Sequence, residues 1–303
     1  MQNIRATLYK NVGLFSTLVR RKEGRRKSLM KQVEGSVAPF IYNPHVPFPK
    51  TKEKGKKNSQ KSLMPAQMDA SLSIYVAIIQ GTKTNKVTKE TLSYLDFSNT
   101  HNLRSSFLKP LKTFENLKIL SLSNTGLKRV PGTILKMHGS LEYLDLSFNR
   151  ISEIATKSKW TNLKGLNFSH NNFVRWPDAI TPSLMPKLEF LDMSFNTFFA
   201  TLPQEMTFEQ LNHLNVAYCS LIKFPIFIRN LLSLKSLDIS GNPEIMHFTL
   251  RELEQILSLQ VINLQGITIF TTASTAHFPP KLIITKYCPN FDSPAIDNVL
   301  FIQ

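Results

Sequence analysis

Apolar residues recur along this chain in a six-residue frame, at the first, fourth and sixth places, with mostly polar residues between. The frame stands out at Leu117, Leu120, Leu122; Leu141, Leu144, Leu146; Leu163, Leu166, Phe168; Leu188, Leu191, Met193; Leu211, Leu214, Val216; and Leu234, Leu237, Ile239. Weaker copies flank these at Leu92, Leu95, Phe97 and at Leu259, Ile262, Leu264. Successive starts are 25, 24, 22, 25, 23, 23 and 25 residues apart. Within a frame, as in Leu141-Glu142-Tyr143-Leu144-Asp145-Leu146, side chains alternate with a period of two. That predicts a short strand with one buried and one exposed face in each unit. Eight such units in register predict a stack of repeats, each too small to bury its own apolar face.

Three places after the third apolar residue stands an asparagine in the stronger copies: Asn149, Asn171, Asn196 and Asn242. A buried amide needs partners, and a column of them can satisfy backbone groups where each strand turns away. Thr100, Thr125 and Cys219 hold that place elsewhere; in the last copy Ile267 does, and the regular array is expected to end there. Pro131, Pro177, Pro203 and Pro225 mark the outward turns, because proline lacks the N–H that an inner strand needs. Behind them, Ile134, Leu135, Ile226, Phe227 and Ile228 are expected to pack back onto the ladder. One helix is expected at Thr249 to Leu257, where Leu250, Leu253, Ile256 and Leu257 recur at helical spacing.

Over roughly Leu92 to Phe270 this frame resembles the leucine-rich-repeat family, closest to its intracellular and plant types with a proline-bearing convex turn. The resemblance implies an α/β solenoid: a horseshoe with a parallel β-sheet on its concave face and a mostly irregular convex side. It also implies a role in protein–protein contact, without naming the partner.

Charge divides the chain. Residues 1–62 hold 15 Lys or Arg against Glu23, Glu34 and Glu53, out of a formal net charge of +16 for all 303 residues. The predicted organisation is a basic N-terminal arm over 1–62, an N-terminal cap over 63–91, repeats over 92–276, and a C-terminal cap and tail over 277–303. The arm opens with an acid-free stretch in which Ile4, Leu8, Val12, Phe15, Leu18 and Val19 share a helical face. That pattern suits a mitochondrial transit peptide, a membrane-surface helix or a docking helix. The basic groups expected to dock on an acidic surface are Arg20, Arg21, Lys22, Arg25, Arg26, Lys27, Lys54, Lys56 and Lys57, with Ser28 as a candidate phosphorylation site. Protein is the favoured acidic surface; RNA would give a steep salt dependence. Between the basic clusters, Pro39, Pro44, Pro47 and Pro49 with Phe40, Tyr42 and Phe48 favour an extended path. Only two cysteines occur, Cys219 and Cys288, so no disulfide framework is expected and a reducing compartment is favoured. No apolar run is long enough to span a bilayer as a helix.

The register assigns the exposed sheet positions. Third places carry Tyr94, Ile119, Tyr143, Gly165, Phe190, His213, Ser236 and Val261; eighth places carry Asn99, Asn124, Phe148, His170, Phe195, Tyr218, Gly241 and Gly266. The partner-binding candidates are therefore Tyr143, Phe148, His170, Phe190, Phe195, His213 and Tyr218, because exposed aromatic clusters anchor interfaces. The alternative is that eighth-place aromatics only pack along the ladder edge. Fifth places carry Asp96, Asp145, Asp192 and Asp238 among Ser121, Asn167, Asn215 and Asn263, an acidic stripe that disfavours nucleic acid. Catalysis finds no footing. Ser169 and His170 are expected on opposite faces of a strand, Cys219 is expected buried and His213 exposed, and no metal-ligand or phosphate-loop spacing occurs. No enzyme activity, cofactor or metal is expected. The sequence reads as an intracellular interaction scaffold in a large assembly, first of all an axonemal or microtubule-associated one. A mitochondrial accessory subunit and a signalling adaptor are the other readings.

Overall fold

The computed structural model describes residues 90–270 apart from 102, 199–201 and 246–247, together with strands at 282–285 and 299–302. The chain divides into two compact units, Met1–Leu63 and Met64–Gln303, and all described residues belong to the second. The basic arm, Ser28, the expected N-terminal cap except 90–91, and the expected C-terminal cap and tail except 282–285 and 299–302 lie outside the described residues.

Each frame forms a three-residue strand at its third to fifth places: β1 (Tyr94–Asp96), β2 (Ile119–Ser121), β3 (Tyr143–Asp145), β4 (Gly165–Asn167), β5 (Phe190–Asp192), β6 (His213–Asn215) and β7 (Ser236–Asp238). A short β8 (Phe248–Thr249) lies outside this series, and β9 (Val261–Asn263) resumes it. All pair in parallel with no register shift, so Leu95, Leu120, Leu144, Leu166, Leu191, Leu214, Leu237 and Ile262 form one buried line. Zero offset follows from the frame, since slipping one residue would turn every leucine out to solvent. The product is a solenoid of about seven turns around one continuous apolar core.

The outward side is mostly irregular. Among the described residues it holds one four-residue helix, α1 (Gly132–Leu135), and 3-10 turns at Lys109–Thr113, Ile226–Asn230 and Leu250–Leu253. Pro131 and Pro225 precede two of these and direct the chain inward, burying Ile134, Phe227 and Ile228 while Ile226 faces solvent. The helix expected from Thr249 to Leu257 does not form. The segment is the end of β8, a 3-10 turn, and further i to i+3 hydrogen bonds from Ile256 N–H to the Leu253 carbonyl and from Leu259 N–H to the Ile256 carbonyl. A three-residue repeat buries Leu253 and Ile256 but leaves Leu257 outside.

The array does not stop at Ile267. The amide column ends there, but the sheet runs on. After β10 (Ile269–Phe270), which pairs with β8, strands β11 (Leu282–Thr285) and β12 (Val299–Ile302) extend the main sheet beside β9. Ile284 continues the buried line beside Ile262.

Candidate functional site

The sheet face is built from four columns that run across the repeats. Innermost is the ninth-place amide column. The Asn196 amide donates to the carbonyls of Phe168, Met193 and Ser194, and its oxygen accepts the Phe173 N–H at 3.0 Å. Asn149, Asn171 and Asn242 repeat the arrangement, each tying its own repeat to the one before. Cys219 substitutes by donating its thiol to the Met193 carbonyl at 3.2 Å, and burial pushes that thiol well above its ordinary pKa. It is a packed hydrogen-bond donor rather than a nucleophile.

The fifth-place column corrects the expectation of a solvated acidic stripe. Asp145 and Asp192 are buried, the latter only 3% exposed. One oxygen of each acid accepts the N–H of the seventh-place residue: Ser98 for Asp96, Ser147 for Asp145, Ser194 for Asp192 and Ser240 for Asp238. Asn167, Asn215 and Asn263 do the same through their amide oxygens. These residues hold the turn that ends each strand. Acid and neutral side chains alternate strictly along the column, from Asp96 and Ser121 through to Asp238 and Asn263. With strands about 4.8 Å apart, the alternation keeps carboxylates two strands from one another. The neutral members also donate: Asn215 to Asp192 at 3.1 Å and Asn263 to Asp238 at 3.0 Å. Burial, more than these bonds offset, raises the pKa of Asp145, Asp192 and Asp238, that of Asp192 to about 6.

The eighth-place column is a stack of rings. Phe148 lies on His170 with centroids 4.1 Å apart, His170 on Phe195 at 4.0 Å, and Phe195 on Tyr218 at 4.5 Å, all within 12° of parallel. Every eighth-place residue from Asn99 to Gly266 has positive φ, near +53° to +76°. Each from Asn99 to Gly241 still donates its N–H to the next repeat's seventh-place carbonyl, as Phe195 does to Ala217. Ser169 and His170 thus lie on the turn after β4 rather than on a strand. They still make no nucleophile–base pair, since Ser169 is buried while His170 joins the stack. Burial between rings lowers the His170 pKa to about 4, which keeps it neutral at physiological pH. On the N-terminal side of the rings, Asn124 donates to Asn99 at 2.8 Å. On the other side Tyr218, 47% exposed, lies against the bare backbone of Gly241.

The third-place column is less open than its register suggests. Tyr143 is half-buried and lies flat over Gly165, where an added Cβ would come within 2.5 Å of the ring. Phe190, expected exposed, is only 7% exposed and leans on half-buried His213 with centroids 6.3 Å apart. The zero-offset stacking brings neighbouring bulky rings together, so they bury one another where the sequence register counts each as free. Of the seven candidates, Phe148, His170, Phe195 and Tyr218 form one array, while Phe190 and His213 form a second. Sequence reasoning missed the second-place charge ladder, in which Glu142 bridges Lys118 at 3.0 Å and Lys164 at 3.1 Å. Those contacts hold Glu142 below its ordinary pKa against the cost of burial. Among the described residues no group of three or more His, Cys, Asp or Glu could hold a metal ion, and no helix is long and apolar enough to cross a membrane.

A parallel-sheet solenoid made of one repeated strand-turn unit, with an internal amide column, defines a class of interaction protein. The chain's fold is that of leucine-rich repeats. A family model described as Leucine Rich repeats (2 copies) matches residues 139–182. The chain is similar to the adenylate cyclase of Schizosaccharomyces pombe, 29% identical over 174 residues that cover 56% of this chain and 10% of that protein. It is also similar to the disease resistance protein UNI of Arabidopsis thaliana, 28% identical over 153 residues, 50% of this chain and 17% of that one. The chain therefore spans a small part of these relatives. Among solved structures it is similar to an internalin (inlF) of Listeria monocytogenes, with TM-score 0.42, 18% identity, and coverage of 59% of this chain and 56% of that one.

Proposed function

We propose that this chain is a non-catalytic scaffold that holds a protein on its sheet face and joins a larger intracellular assembly through its basic arm. The observation that carries the reading is the continuous ring array ending in half-exposed Tyr218. Rigid aromatic surface ordered before binding costs little entropy to dock against. Proteins built from this repeat generally act in protein–protein contact, which supports it. The buried thiol of Cys219 and the turn-holding role of the acids leave the sheet face as a contact surface without a reacting group. The arm, with Arg20, Arg21, Lys22, Arg25, Arg26 and Lys27 in one cluster, suits an acidic protein surface, and a microtubule-associated assembly supplies one. The acid-free first 21 residues favour one other reading, a mitochondrial subunit whose first helix is an address label.

Two variants separate the surfaces. Tyr143→Ala with Tyr218→Asn is expected to release the protein held on the face while the array stays folded. Arg25→Glu with Arg26→Glu is expected to leave that protein bound and release the assembly. Retention of both partners by both variants overturns the proposal. The N-terminal peptide of the endogenous protein, read by mass spectrometry, decides compartment: a start beyond Arg20 establishes the mitochondrial reading, and a start at Met1 rules it out.

A further inference from the structure

The eighth-place column changes character between β6 and β7. Rings fill it in four successive repeats, and then Gly241 and Gly266 leave it bare for two. The Tyr218 ring is stacked on Phe195 on one side and borders this bare stretch on the other. A Cβ at Gly241 would lie 2.5 Å from the ring, so the ring covers that glycine; among the described residues, a Cβ at Gly266 would meet only the Gly241 backbone, at 3.7 Å. The open floor is therefore the single strand at Gly266, about 5 Å wide, with the outer face of the phenol ring as its wall.

The same repeat supplies a charge. Asp238 is three residues before Gly241; its carboxylate accepts the Ser240 N–H at 2.9 Å and the Asn263 amide at 3.0 Å. Among the described residues it has no ion pair, and burial raises its pKa. The sheet face as a whole is short of cations. Its second and fifth places hold four aspartates and two glutamates against Lys118, Lys164 and Lys235, and the first two of those lysines are both bound to Glu142. The missing group is flat enough to continue a ring stack and positive enough to face a carboxylate.

We propose that an arginine side chain of the protein partner occupies this floor, its guanidinium stacked on the outer face of Tyr218 over Gly266 and paired with Asp238. The proposal rests on the sheet face being the partner-binding surface. Arginine meets both requirements at once, because its plane stacks on aromatic faces and its fork pairs with carboxylates. A partner phenyl ring would stack but leave Asp238 uncompensated. A lysine would supply charge but no plane.

The test uses the full chain and N-acetyl-arginine methylamide, with N-acetyl-lysine methylamide as the control. In an NMR titration the Tyr218 ring signals, assigned by their loss in Tyr218→Asn, and the Gly266 amide are expected to shift saturably with the arginine compound. The lysine compound is expected to bind at least about fivefold more weakly. Asp238→Asn is expected to weaken arginine binding by about tenfold. Gly266→Asn blocks the floor without displacing Tyr218, since asparagine accepts the +76° φ and no side chain among the described residues lies over Gly266; it is expected to abolish the shifts. No saturable shift, equal affinity for both compounds, or indifference to Gly266→Asn overturns the arginine seat. Failure here is separable from failure of the face reading: a photo-crosslinker at position 218 that still captures a partner leaves the face standing and removes only the seat.

Discussion

Asn196 illustrates how much one buried amide does in this protein. It serves three carbonyls and one N–H from two repeats, so Asn196→Ala leaves several buried groups unpaired. A loss of about 3 kcal/mol is expected, read as a lower urea midpoint with an unchanged m-value. His170 and Asp192 make opposite pH signatures. The His170 pKa falls to about 4 on folding, so between pH 6.5 and 4 the unfolded chain takes the proton first and stability drops as pH falls. The Asp192 pKa rises to about 6, so the native state takes its proton first and stability grows as pH falls from 6 to 3.8. His170→Phe keeps the stack and removes the acid penalty, so relative to the parent it should gain on the order of 1–2 kcal/mol between pH 7 and pH 4. Asp192→Asn should lose stability relative to the parent over the same range. Thermal melts at a series of pH values check both signs.

At the scale of the element, the ring stack helps hold four ring-bearing residues, Phe148, His170, Phe195 and Tyr218, in the left-handed region. Each such residue costs about 1–2 kcal/mol, and each parallel ring contact returns about 0.5–1.5 kcal/mol. The stack therefore stabilises a turn that its residues alone would resist. Phe195→Asn gives up two ring contacts but eases the backbone, whereas Phe195→Ala gives up the contacts and keeps the strain. The asparagine variant is expected to be the more stable by about 1 kcal/mol in chemical denaturation. The sequence carries a signal for this geometry. Asn99, Asn124, Gly241 and Gly266 occupy the same place as the rings, and asparagine and glycine are the residues that tolerate positive φ. Likewise the alternation of Asp and neutral side chains at the fifth place was visible, but its purpose was not, because the accepting geometry toward Ser147 or Ser194 needs the turn itself. The frame made every strand of the series legible, since a period of two with zero offset leaves one register. The segment around Leu253 was misread because apolar residues three apart serve a 3-10 turn as well as a helix. Phe190 was misread because burial by a neighbour's ring is a property of the stack rather than of any single repeat.

For the whole molecule, the columns add up to a surface that is ordered before anything binds: amides inside, turn-holding acids beneath, rings along one edge and a Lys-Glu ladder along the other. The proposed contact rests on that order. The repeats stack as near-identical units, so the surface is as stiff as the column of amides that joins them. The direct test is site-specific photo-crosslinking in cells, with the reactive group placed at position 143 or 218 on the sheet face and at 157 or 205 on exposed positions away from the strands. The account predicts one discrete crosslinked protein from 143 and 218, and none from 157 and 205. A crosslink obtained only from 157 or 205 contradicts it, and would make the ring stack a device for stability rather than recognition.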